Sequence, residues 1–204
     1  MQYVKVLKKD PKMAKLLKLI PQEDINRLGN SGKLRAHLIQ SIVSQQLSIK
    51  VAPIIFQRFK DLYGGKIPTN KQINDTSIEQ LRSCGLSNQK SNYIKNIAEY
   101  FEKHKLKDSH FKTKTDEEII FQLCEIKGVG KWTVEMVLMF CLGRENVFSV
   151  GDYGIQMAMK EIYNIRKEKK ELEKKMLQIS EQWHPYRSMA CMYLWASKDL
   201  KIKI

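Results

Sequence analysis

Residues 123–156 read LCEIKGVGKWTVEMVLMFCLGRENVFSVGDYGIQ. The stretch opens as the end of one amphipathic helix and breaks at Gly128-Val129-Gly130. It restarts as a strongly apolar helix from Lys131 and, after a polar loop, delivers Asp152 to the start of another helix. The two glycines permit positive φ and close backbone approach, so the short link between helices can present N–H groups to a phosphate, assisted by the helix N-terminus. Lys131 adds a cation beside them. Asp152, after Gly151 and before the small Gly154, is a carboxylate at a helix start, where it either caps the helix or faces a cleft.

Outward from this stretch the chain reads as helix after helix. Met13, Leu16, Leu17 and Ile20 fall at helical spacing and Pro21 stops them. Leu34, Leu38, Ile42 and Leu47 hold a second stripe, after which Ser48 can cap a helix to Tyr63 that takes Pro53 near its first turn and ends at Gly64-Gly65. Thr76-Ser77-Ile78-Glu79 has capping-box spacing, and Ser87 caps a long helix carrying Tyr93, Ile94, Ile97, Tyr100 and Phe101. A polar linker from His104 to Lys114 leads to a second capping box, Thr115 to Glu118, which starts the helix entering the hairpin. Residues 168–182 form a charged helix with Leu172, Met176 and Ile179 on its buried face, and Pro185 suits the first turn of a last helix over 186–197. With no alternating strand, internal repeat or low-complexity segment, the expected fold is all-α.

Composition sets the outer bounds. The 204 residues, 43% of them hydrophobic, can bury a sizeable core as one domain or two small lobes. The 36 basic against 22 acidic side chains leave a net charge of +14, which favours a polyanionic partner bound with counterion release. The lysine run around 167–175 alternates with glutamates and reads as a solvated helix face. Cys84, Cys124, Cys141 and Cys191 show no Cys-x-x-Cys spacing and read as buried free thiols in a reducing compartment. His37, His104, His110 and His184 are scattered without metal-ligand spacing. The longest apolar run, Val137 to Leu142, is far too short to cross a bilayer, so a soluble intracellular protein is expected.

Four segments carry a resemblance that covers most of the chain, from about Ala36 to Trp195. They are Leu38 to Ser48 with its Gln45-Gln46-Leu47-Ser48 end, Gly85-Leu86-Ser87 with Lys90, Tyr93 and Ile94, the hairpin Ile126 to Lys131 followed by Asp152, and Trp183-His184-Pro185-Tyr186-Arg187-Ser188. In this order they resemble the helix-hairpin-helix DNA glycosylases, and the last is similar to the signature of the 3-methyladenine DNA glycosylase II, or alkylation-repair, branch. Lys127 stands where that hairpin commonly has Pro. The β-rich N-terminal domain of the larger bacterial members is not expected here.

The resemblance implies a single domain over 1–204 of two helical lobes with a cleft between them. One lobe is expected from about 31–114 plus the N- and C-terminal helices, the other over 115–182, with the hairpin at 115–141. It implies a base-excision repair enzyme hydrolysing the N-glycosidic bond of alkylated purines of the 3-methyladenine or 7-methylguanine type after base flipping. Asp152 would be catalytic, stabilising positive charge on the deoxyribose or steering a water onto it. An alkylated purine is already cationic and leaves neutral, so no general acid is needed. Trp132, Tyr153, Tyr186 and Met136 match positions facing the base pocket, where aromatic walls stack on a cationic base; Trp183 and Trp195 read as core. Gln46 matches the wedge that fills the vacated stack, with Gln45 and Leu47 as substitutes. Gly128, Val129, Gly130, Lys131 and Thr133 would bind DNA phosphate.

The resemblance further implies a structural Na+ or K+ on the backbone carbonyls of Cys124, Ile126 and Val129, with no cofactor required and no iron-sulfur cluster. In bifunctional relatives a lysine follows the Gly-x-Gly-x of the hairpin and attacks the sugar, giving strand scission. Trp132 holds that position here and Lys131 lies one residue earlier, about 100° away on a helix. A monofunctional glycosylase without lyase activity is therefore expected, acting as a monomer on double-stranded DNA inside the cell, in the cytoplasm at the nucleoid if the organism is a prokaryote. The alternatives are a mismatch or deaminated-base glycosylase on the same scaffold, or a non-catalytic hairpin protein that binds damaged DNA.

Overall fold

The computed structural model describes residues 1–48, 50–202 and 204, and among these all regular structure is helical. The helices are α1 (Gln2–Leu7), α2 (Pro11–Leu19), α3 (Leu34–Ser44), α4 (Val51–Asp61), α5 (Asn70–Asp75), α6 (Ile78–Ser83), α7 (Asn88–Lys103), α8 (Asp116–Leu123), α9 (Lys131–Phe140), α10 (Tyr153–Ile162), α11 (Lys169–Ser180) and α12 (Arg187–Asp199). Caps set many of the boundaries. Asp10 accepts the N–H groups of Lys12 and Met13 at the head of α2, Ser87 accepts Lys90 N–H, and Thr115 and Glu118 cap each other as the spacing predicts.

Three local features depart from the sequence expectation. The six-residue α1 and α5 are too short to show a periodic stripe; they are held by burial of Tyr3, Leu7 and Ile73, and α5 also by a Thr69–Gln72 capping box. The box expected at 76–79 lies one residue on, between Ser77 and Gln80, because the Thr76 hydroxyl donates to Gln72 O at 2.6 Å and closes α5. Pro185 precedes α12 instead of occupying its first turn, which begins at Arg187.

The chain divides into two compact units, residues 31–137 and residues 1–30 with 138–204. This grouping differs from the expected lobes: 115–137 joins 31–114, and both terminal segments join 138–182. Named bonds explain it. In the unit containing both termini, the Asp10 carboxylate accepts Tyr163 Oη at 2.6 Å and Trp183 Nε1 at 2.9 Å. Trp183, fully buried, also packs edge-on against Phe148. In the 31–137 unit, α3, α5 and α6 pack on α7, whose other side chains hold the hairpin described below.

Candidate active site

In the 31–137 unit the hairpin is clamped by one run of α7. The Asn96 amide donates to Lys127 O at 2.9 Å, and Tyr100 Oη donates to Gln122 O and to Glu125 Oε2 at 3.1 and 2.6 Å. Burial, together with Glu125, pushes the Tyr100 phenol up to about 12, so it remains a donor at neutral pH. Tyr93 lies directly beneath Gly128, whose φ is +103° and where a Cβ would fall 2.2 Å from the tyrosine ring. Gly128→Ala is thus expected to displace the hairpin and cost roughly 3 kcal/mol, an overpacking-scale penalty. Thermal melting should show a midpoint about 10 °C lower, accompanied by weaker duplex affinity in a fluorescence anisotropy titration.

The groups expected to hold phosphate divide in their surroundings. Val129 N–H closes the hairpin turn onto Ile126 O at 2.9 Å, so it is taken up internally. A Cβ built on Gly130 meets nothing within 4 Å, leaving the backbone approach there open. Thr133 has a buried side chain, which restricts it to main-chain contact. Lys131 is exposed and lies 3.8 Å from the buried Glu135 one turn on. Trp132 is exposed and Met136 half-buried on the same helix. The carbonyls expected to hold a cation, those of Cys124, Ile126 and Val129, are main-chain oxygens of the kind a hard ion takes, and Ile126 O also accepts Val129 N–H.

The wedge candidates sit in the turn after α3. Gln46 is exposed at φ +57°, a left-handed conformation, with Gln45 and Leu47 half-buried on either side. Lys90 reaches this turn from α7, donating to Val43 O at 2.8 Å and Gln45 O at 2.6 Å. Burial lowers its pKa, yet the ammonium satisfies carbonyls that the end of α3 leaves without helical partners.

In the other unit, the loop from Gly143 to Gly151 is fixed before it delivers Asp152. Ser188 Oγ accepts Val147 N–H at 2.9 Å and donates to Arg144 O at 2.7 Å, while Ser188 N–H donates to Glu145 O. Gln156 holds Val150 O at 2.9 Å. The Arg-Ser pair near the start of α12 therefore has a physical task, with Arg187 ion-paired to Glu181 and Ser188 pinning the loop. Asp152 is 8% exposed and its Oδ1 accepts Ile155 N–H at 2.8 Å as the cap of α10. The same Oδ1 accepts Trp195 Nε1 at 2.9 Å. Trp195, which reads as core in the sequence, is half-buried, stacked on Phe140 and bonded to this carboxylate.

Tyr153 is 70% exposed with Lys198 Nζ 5.4 Å from its ring centroid, and Tyr186 is half-buried with Oη donating to Gln2. Asp152, Tyr153, Tyr186 and Trp195 thus belong to one unit, and the hairpin, Trp132, Met136 and the wedge candidates to the other. Of the free cysteines, Cys124 departs from the buried reading: it closes α8 at the hairpin break and is exposed. Among the described residues no group of three or more His, Cys, Asp or Glu is placed to hold a metal ion, and no helix is long and apolar enough to cross a membrane.

Two helices joined by a Gly-Val-Gly turn, then a pinned loop ending in a helix-capping aspartate, define a helix-hairpin-helix base-excision fold. A family model described as HhH-GPD superfamily base excision DNA repair protein matches residues 39–182, and the chain belongs to that superfamily. It is 34% identical over 195 residues to DNA-3-methyladenine glycosylase 1 of Schizosaccharomyces pombe, covering 94% of this chain and 84% of that one. The solved structure of the 3-methyladenine DNA glycosylase of that yeast in complex with abasic DNA superposes with a TM-score of 0.85 at 32% identity, covering 98% of this chain and 97% of the other. The DNA-3-methyladenine glycosidase of Bacillus halodurans superposes with a TM-score of 0.83 at 33% identity, covering 97% and 89%.

Proposed function

We propose that the protein is a monofunctional glycosylase that releases alkylated purines of the 3-methyladenine and 7-methylguanine type from double-stranded DNA. The observation that supports this most directly is Asp152, a nearly buried carboxylate at the head of α10 whose Oδ1 is held by two donors. Similarity to a glycosylase named for 3-methyladenine, solved on abasic DNA, supplies the substrate class.

Binding begins with charge. The net charge of +14 draws in the duplex, and the hairpin N–H groups with Lys131 hold a phosphate. The damaged base leaves the stack, Gln46 or a neighbour fills the gap, and aromatic side chains stack on the cationic purine. As the glycosidic bond lengthens, positive charge grows on the sugar and the fixed anion of Asp152 stabilises it or orients the attacking water. The purine departs neutral, so one carboxylate suffices. A lysine nucleophile has no place in this sequence of steps, since Trp132 holds the position from which one would act. A Na+ or K+ on the hairpin carbonyls would have a structural part only. The enzyme acts as a monomer inside the cell.

The test uses duplexes carrying 3-methyladenine or 7-methylguanine, scoring free base and strand breaks separately. Free base without scission is expected. Scission trapped by borohydride would overturn the monofunctional reading, and absence of any base release with binding intact would sink alkylpurine excision altogether.

A further inference from the structure

We infer that Trp195 is a positioning residue for the catalytic carboxylate: its indole N–H holds Asp152 Oδ1 in the orientation that faces the sugar. The inference rests on the reading of Asp152 as catalytic and goes beyond it. A helix cap needs only the Ile155 N–H, which Oδ1 already accepts at 2.8 Å. The second bond, 2.9 Å from Trp195 Nε1, comes from α12, 43 residues away in sequence. An indole nitrogen can only donate, so this partner suits an anion and cannot turn into an acceptor. Two donors on one oxygen, one from the main chain of α10 and one from a side chain of α12, fix the rotation of the carboxylate about its last torsion.

The surroundings are built for this bond. The Trp195 ring is stacked on Phe140, with centroids 6.0 Å apart and planes 28° from parallel, which holds the N–H in direction. Gly154 makes the room. A Cβ there would lie 3.1 Å from Asp152 Oδ1 and 3.2 Å from Trp195 Cδ1, so any larger residue would press on both members of the pair. Orientation matters because catalysis by a fixed charge depends on where that charge sits, and small misplacements cost up to about a hundredfold in rate.

Trp195→Phe keeps a ring against Phe140 and deletes only the donor. Single-turnover release of 3-methyladenine at saturating enzyme should slow by about tenfold or more. Affinity for an abasic duplex should stay within about twofold, and the thermal midpoint within a few degrees, since no phosphate-binding group is touched. Gly154→Ala, which crowds both Oδ1 and the indole without removing either group, should slow release likewise, although alanine is the better helix former. Placed on Asp152→Asn, the Trp195→Phe change should produce no additional loss, because a donor that acts through the carboxylate has nothing left to position. Native rates for Trp195→Phe, losses that multiply in full on Asp152→Asn, or loss of affinity in step with rate would each overturn the inference. If instead the native protein releases no base, or Asp152→Asn releases it as fast as the native chain, the failure belongs to the functional reading.

Discussion

Asp152→Asn should abolish glycosylase turnover, slowing release of 3-methyladenine by roughly 10²–10³-fold or more, while the protein folds and binds duplex as the native chain does. The substitution separates the helix cap from the proposed catalytic use of the charge. Asparagine is as good an N-cap as aspartate, and its amide oxygen can stand where Oδ1 stands, accepting both Ile155 N–H and Trp195 Nε1. The cap and the link to α12 therefore survive. What disappears is the negative charge, the property on which the proposed catalysis depends. Asp152→Ala makes a useful contrast, since it removes the acceptor as well. It should lose about 1 kcal/mol with the cap and further stability from the orphaned indole N–H, so its inactivity would be harder to read. Single-turnover release, abasic-duplex binding and thermal melting decide the matter together. Base release near the native rate by the Asp152→Asn variant would reduce Asp152 to a helix cap and place the chemistry on another group.

The parts of this picture legible in the sequence are those written in local signals. A 3.6-residue apolar stripe, the caps Ser87 and Thr115, a Gly-x-Gly break and an aspartate at a helix start all act within a few residues, so they can be read without knowing what packs where. The all-α fold, the hairpin and the place of Asp152 come from these. What escapes is non-local. Trp195 sits in a helix of almost wholly buried residues, and nothing in its neighbours signals that its N–H reaches a carboxylate 43 positions earlier. Lys90 reads as part of a family pattern, and its work on the carbonyls of Val43 and Gln45 emerges only once α3 and α7 are side by side. The grouping of the helices turns on bonds from Asp10 to Tyr163 and Trp183, spanning 153 and 173 residues. Even Cys124, apolar by pattern, lies at the residue where the helix stops, and its exposure follows from the break.

Asp10 is accordingly where the largest loss of stability is expected. Its Oδ1 takes the N–H groups of Lys12 and Met13, and its Oδ2 takes Tyr163 Oη and Trp183 Nε1, so one buried carboxylate satisfies four donors. Asp10→Ala strips the cap from α2 and strands the indole N–H of the fully buried Trp183 away from water. The sum is roughly 3–5 kcal/mol, as for other broken buried polar networks, or about 10–15 °C in thermal midpoint for a chain of this size. Asp10→Asn should recover only part of this, because one amide oxygen replaces two carboxylate oxygens and Trp183 cannot accept from the new NH2. A pH series provides an independent check. Burial, then the bond to Asp10, raises the Tyr163 pKa above its ordinary value, so the folded state holds that proton more tightly than the unfolded chain. Its contribution is complete below about pH 10 and is lost as pH rises above it. Denaturant unfolding at about pH 9 and about pH 11, on either side of the ordinary tyrosine pKa, should therefore show a steeper fall for the native chain than for Tyr163→Phe. Equal slopes would mean that the Tyr163–Asp10 bond contributes nothing. Since Tyr163 closes the C-terminal end of the helix that Asp152 opens, Asp10→Ala should also lower base release, and only to the extent that the protein is unfolded at the assay temperature.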